Sequence, residues 1–243
     1  MQQSNVYIIV FSAILTIVLG GLLSLTSVLL GPKQKQQEKL DTQKKILGAV
    51  MDLNPDDDVV SLYEENVESL VVNAQGDIVE GKVAEKINIG AEFKKPVKDR
   101  LLPVFKFIQK DQVEAYIFPV YGNGLWDNIW GYLALEKDLN TIKGVVFDHK
   151  AETPGLGARI TESSIQNRYV GKELFNDNGN FVSVTMRKGE VGDPKKFGEH
   201  EVDGMSGATL TANGVNDMIA NYIGNYYSPY FEKISSKQVA LIN

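Results

Sequence analysis

The sequence predicts an α+β protein: one N-terminal transmembrane helix, then a twisted, mainly antiparallel sheet packed with helices. Three observations carry this. No charged side chain precedes Lys33, and residues 6–30 (VYIIVFSAILTIVLGGLLSLTSVLL) are continuously apolar apart from small residues. That run exceeds the roughly 20 apolar residues a helix needs to cross a bilayer core. The middle of the chain carries short β-branched and aromatic runs separated by Gly, Asn or Asp, the spacing of neighbouring antiparallel strands. Late in the chain the apolar period lengthens: Val215, Met218, Ile219, Tyr222, Ile223 and Tyr226 fall on one helical face.

Each element can be justified in order. The serines and threonines scattered through residues 6–30 are tolerable in a bilayer because a helical hydroxyl bonds back to its own backbone. A cleaved signal peptide would need a basic leader, a shorter apolar core and a small-residue cleavage site, and none is present. Residues 33–50 (KQKQQEKLDTQKKILGAV) favour a helix and read as a stalk. NPDDD at 54–58 ends it in a turn. The expected partition is therefore an anchor over 1–31, a stalk over 32–53 and a folded domain over 54–243. Within that domain SLVVN and DIVEG read as a short hairpin around Gln75-Gly76. EAYIFPV (114–120), NIWGYLAL (128–135), TIKGVVFD (141–148) and FVSVTMR (181–187) read as strands.

Composition narrows the chemistry. The 243 residues carry a net charge of −6, which leaves no basic footprint for nucleic acid. There is no cysteine, so there is no disulfide, thiolate ligand or thiol nucleophile. The two histidines, His149 and His200, have no zinc-site spacing, and no metal site is expected.

Two loops and a tryptophan pair hold the candidate site. DGMSGATLTANGV (203–215) puts small hydroxyl and glycine residues where strands give way to the amphipathic helix. Such a junction exposes unpaired N–H groups and the positive end of the helix dipole, a ready anion site. The plainer reading makes Thr209 or Thr211 the helix cap. GMSGA approaches a nucleophile elbow, but both histidines precede Ser206, against that motif's order. ETPGLG (152–157) is neither a P-loop nor G-x-G-x-x-G, and is either a tight turn or a second wall of a ligand site. In GNGLWDNIW (122–130), strand alternation puts Trp130 with Tyr132 in the core and leaves Trp126 in a glycine loop as a ligand candidate.

Together these residues resemble a known family. Asp203, Ser206, Gly207, Ala208 and Thr209 match D-x-x-S-G-A-T, the motif at which a flavin transferase attaches FMN to proteins. The resemblance implies a phosphoester from FMN to Thr209. HKAETPGLG is similar to the other half of that FMN-binding domain. It implies flavin contacts from Glu152, Thr153, Gly155, Leu156, Gly157, Trp126, Ser206 and Thr211. The span, the stalk, GNGLW, ETPGLG and VDGMSGATLTANGV together resemble the NqrC family of the sodium-translocating NADH:quinone oxidoreductases over nearly the whole chain.

That resemblance implies an electron-transfer subunit of a sodium-pumping complex, passing electrons between an iron–sulfur centre and another flavin subunit. It also implies other subunits and the transferase as partners, and a bacterial inner-membrane location with the domain on the periplasmic side. The chain has no NADH fingerprint and no ion-carrying bundle, so no complete reaction is expected from it alone. Two alternatives stay open. The corresponding flavin-binding subunit of the Rnf ferredoxin:NAD complex shares ETPGLG and SGAT, and a cofactor-free tethered scaffold would use its glycine loops only as turns. Lys33, Lys35, Lys39, Lys44 and Lys45 follow the span with nothing basic before it, which by the charge bias alone would hold the domain in the cytoplasm.

Overall fold

The computed structural model describes residues 4–242. The chain divides into two compact units, Met1–Gln43 and Lys44–Asn243. Helix α1 (Asn5–Gly48) runs unbroken through the apolar stretch and the lysine-rich stretch after it. At 1.5 Å per residue it reaches about 66 Å, twice the roughly 30 Å of a bilayer core. It is long and apolar enough to cross a membrane. Its hydroxyls behave as expected: Thr16 donates to the Ser12 carbonyl and Thr26 to the Leu22 carbonyl, both at 2.8 Å.

In the second unit the chain forms α2 (Val59–Asn66), β1 (Val67–Val72) and the short α3 (Ile89–Phe93). Strands β2 (Leu102–Gln109), β3 (Gln112–Asn123), β4 (Asn128–Glu136) and β5 (Ile142–His149) follow. They pair in sequence order as a five-stranded antiparallel meander. The expected α+β architecture is present. α4 (Ser163–Gln166), β6 (Thr185–Met186), β7 (Glu201–Val202) and α5 (Thr209–Ile219) come next. A π-helical segment (Ala220–Tyr226) and α6 (Ser228–Ile242) complete the described elements.

Both faces of the sheet are buried. Phe118, Val120, Ile129, Leu133 and Phe147 pack against Val215, Met218, Ile219, Tyr222 and Ile223 of α5 and the π segment. These are five of the six residues whose spacing predicts the helical face, and the sixth, Tyr226, is half-buried. Full burial of each such side chain contributes about 1.5–3 kcal/mol. On the opposite face Phe105, Phe107, Ala115, Ile117 and Ala134 are buried, as are Ile46, Leu47, Val59 and Tyr63 from the segments around the end of α1. Lys45 ion-pairs there with Asp148 of β5 at 2.5 Å.

A proline in the long central strand needs an explanation, since proline cannot donate to a ladder. The β2–β3 pairing ends at Phe105↔Ile117, so Pro119 lies beyond it on that side. The buried Tyr227 hydroxyl fills the gap, donating to the Pro103 carbonyl at 2.7 Å with the Pro119 carbonyl 3.3 Å away.

Three expectations are corrected. The DIVEG arm of the hairpin makes only one bridge, Val72↔Ile78, before Gly81 at φ +73° turns the chain away. The strand expected over 181–187 shrinks to Thr185–Met186. Ser183 stands at φ +61°, and the amides of Val182 and Ser183 both donate to the Leu174 carbonyl, which ends the two-residue alternation. Trp130 is half-buried rather than core, its ring stacked near Tyr121 at 6.5 Å.

Candidate functional site

Helix α5 begins at Thr209, and neither threonine caps it. The N-cap is Ala208, whose side chain accepts nothing. Gly207 at φ +71° turns the chain into the helix, and the first intrahelical bond runs from the Ala212 amide to the Ala208 carbonyl. The amides of the first turn therefore keep their positive partial charge without a side-chain acceptor. Thr209 is half-buried, and among the described residues its hydroxyl has no hydrogen-bond partner.

Thr211 is spent elsewhere. Its hydroxyl donates to Glu152 Oε2 at 2.6 Å, and Glu152 Oε1 accepts from the Trp126 amide at 3.0 Å. Glu152 and Thr211 are both buried, 4% and 1% exposed. One carboxylate thus ties three segments that are distant in sequence: the 122–130 loop, ETPGLG and the first turn of α5. Glycine is required where they meet, because a Cβ on Gly157 would overlap both Glu152 Oε2 and the Thr211 hydroxyl. The side-chain polar atoms of Glu152 and Thr211 therefore face each other, so their observed job is to join the walls of the site. The Glu152 amide donates to His149 Nδ1 at 3.2 Å, fixing the start of the loop to the end of β5.

Around this tie lie exposed apolar groups. Trp126 is 68% exposed, and its indole N–H donates to the Thr153 hydroxyl at 3.1 Å, which fixes the ring's tilt. Gly155 takes φ +73° in a turn whose Leu156 and Ala158 amides both reach the Thr153 carbonyl at 3.1 Å. Leu156 is 41% exposed, and its side chain lies against Gly207 of the other loop. Ser206 is exposed beside it, and Leu210 projects from the first turn of α5 at 59% exposed. The two loops singled out in the sequence are in contact, with Thr209 between a polar helix end and an apolar rim. These residues suit a ligand with a phosphate at one end and a flat heterocycle at the other.

Beneath the 203–206 loop is a support that sequence reasoning missed. Asp203 is buried, and its carboxylate accepts from the Val191 amide at 2.9 Å and the Gly192 amide at 2.7 Å. Arg168 Nη1 donates to the carbonyls of Asp203 (3.1 Å) and Gly204 (2.6 Å). Glu190 receives Arg159 through both terminal guanidinium nitrogens, at 2.8 and 3.0 Å, and Arg168 at 2.7 Å. Its Oε2 also accepts from the Ser206 amide at 3.4 Å. Arg159 and then Arg168 hold the Glu190 carboxyl down at about 2. No spacing in the sequence links Arg159, Arg168 and Glu190, since each lies in a different turn.

Residues 124–224 match the FMN-binding domain family. NqrC of the Na(+)-translocating NADH-quinone reductase from Haemophilus ducreyi is 34% identical over 240 residues, covering 92% of this chain and 91% of that protein. The chain belongs to the NqrC family. The corresponding protein of Neisseria meningitidis serogroup A is 32% identical over 93% of this chain and 95% of its own length. Two solved structures agree. The Parabacteroides distasonis member superimposes with TM-score 0.70 at 34% identity, covering 83% of this chain and 96% of its own. NqrC from Shewanella oneidensis superimposes with TM-score 0.72 at 27% identity, covering 83% and 99%. NqrC proteins are components of an oxidoreductase complex, not complete enzymes. In this NqrC chain the FMN-binding match takes in Trp126, the ETPGLG loop, the Arg168–Glu190–Asp203 support and the whole of α5.

Proposed function

We propose that this chain carries FMN covalently on Thr209 and serves as an electron-transfer subunit of a sodium-pumping NADH:quinone oxidoreductase. It takes electrons from an iron–sulfur centre and passes them to another flavin subunit. The observation that carries the reading is Thr209 itself: an unpartnered hydroxyl on the first residue of an uncapped helix, beside exposed Trp126 and Leu156. Similarity to NqrC proteins over nine-tenths of the chain supports the sodium-pumping complex over an Rnf complex.

Bound there, FMN supplies reversible electron uptake at its ring and a phosphate for the tether. The protein supplies the rest. Thr209 offers the nucleophile to a flavin transferase: its Oγ1 forms a bond to phosphorus. The phosphorus–oxygen bond to the leaving nucleotide of a flavin dinucleotide breaks, and the hydroxyl proton passes to a base on the transferase. The first-turn amides of α5 and the helix dipole stabilise the phosphoester charge. Trp126, Thr153, Gly155, Leu156, Gly157 and Ser206 form the wall against the ring and influence its potential. Glu152 and Thr211 hold that wall to the helix.

The anchor occupies 1–31, the helical stalk 32–53 and the FMN-binding domain 54–243, with the end of the stalk built into the domain. The domain faces the periplasm of a bacterial inner membrane. Activity of a cytoplasm-only reporter fused to the C-terminus would overturn that placement. The attachment is tested by the intact mass of the full-length chain made with an active flavin transferase. The expected gain is FMN minus one water, absent in Thr209→Ala. An unmodified wild-type chain, with the transferase active on a control protein, would remove the covalent reading.

A further inference from the structure

We infer that Glu190, through Arg159 and Arg168, is a positioning residue for flavin attachment: it holds the Ser206 end of the acceptor loop in the one conformation a transferase can use. This rests on the assignment of Thr209 as acceptor. The geometry is that of a platform and a clamp. Residues 187–192 form the platform. Gly204 lies so close to the Arg187 and Gly189 carbonyls that a Cβ on it would overlap both. Asp203 grips the same strip through the Val191 and Gly192 amides. Asp203 is 6% exposed, so a transferase meets it through the loop shape it imposes rather than through its carboxylate.

Glu190 closes the clamp from above. Among the described residues it is the side chain whose carboxylate meets Arg159 behind ETPGLG, Arg168 behind the 203–204 carbonyls and the Ser206 amide together. Charge-assisted, bidentate pairing makes this a directional contact, unlike a solvated surface pair. Ser206 is itself exposed, so burial does not hold it in place of Glu190. Without Glu190, two guanidinium groups lose their shared acceptor and Ser206 loses its hold. The loop then samples other conformations, and the acceptor-competent fraction falls.

A fall in competent fraction has a kinetic signature. Apparent affinity drops in proportion to that fraction, while turnover of the bound acceptor does not change. The test uses the detergent-solubilised full-length chain as acceptor, a purified flavin transferase and a flavin dinucleotide, with incorporation read by intact mass. Glu190→Ala should raise the acceptor KM about tenfold at constant kcat, and Glu190→Gln should raise it less, since its amide oxygen still accepts from Ser206. Val72→Ala, a core cavity far along the chain in β1, controls for lost stability and should leave KM unchanged. Unchanged KM in both Glu190 variants, or a lower kcat at constant KM, would overturn the inference. A wild-type chain that is never modified would instead overturn the assignment of Thr209.

Discussion

At Glu152 a buried carboxylate is stabilised by two donors from different loops, and the two can be told apart by mutation. Thr211→Val removes the hydroxyl donor and leaves the carboxylate with one partner. Loss of a hydrogen bond to a charged group in a buried site costs about 2 kcal/mol, to be read from urea unfolding. Glu152→Gln should cost about 1 kcal/mol or less, because the Thr211 hydroxyl can rotate and accept from the new amide while the Trp126 N–H keeps an oxygen. Equal costs for the two variants would mean that the carboxylate charge, not the hydrogen bond, holds the site together. Thr209 is the opposite case, a polar group with no local partner. Thr209→Ala should therefore leave stability almost untouched while abolishing the covalent mass gain.

Among the elements, α5 and β3 depend on Tyr227. Its hydroxyl serves carbonyls left free where the β2–β3 ladder stops short of Pro119. Tyr227→Phe keeps the buried ring, which packs 4.8 Å from Phe118, but strands two buried acceptors. The expected loss is about 1–3 kcal/mol by thermal or urea unfolding, and a neutral result would mean that water reaches those carbonyls. Helix α5 is also located by Asn216, whose side-chain amide exchanges two hydrogen bonds with the Met186 backbone at 2.8 and 3.0 Å. This fixes the helix start, and with it Thr209, relative to β6.

Over the whole molecule, acid stability should report the Glu190 clamp. Paired with Arg159 and Arg168, the Glu190 carboxyl sits at about 2 when folded against its ordinary value of 4.5. A depressed folded-state value means that the charged form stabilises the fold. That contribution is complete above about pH 4.5 and disappears as the pH falls through about 2. Wild type should thus lose more unfolding free energy than Glu190→Gln between those limits, and the two should run parallel near neutrality. Parallel curves throughout would mean that Glu190 is equally charged and solvated in both states.

What could be read from the chain itself was every element with a periodic or compositional signal: the apolar helix, strands β3 to β5 and the buried face of α5. Each depends on burial of side chains at a fixed spacing, which the residue order displays directly. Both site loops were legible as well, because glycine, proline and small hydroxyls mark places where the backbone must turn or be approached closely. What those loops do to each other came only from the folded arrangement. Glu152 meets Thr211, and Glu190 gathers Arg159, Arg168 and Ser206, only because the sheet brings remote turns together. Such pairings have no period, and a charged side chain in a turn reads as solvated until its partner is placed. The cap of α5 belongs with them: a threonine hydroxyl can serve a helix end or a buried carboxylate, and Thr211 serves the carboxylate because desolvating an unpaired charge costs more than an uncapped helix start.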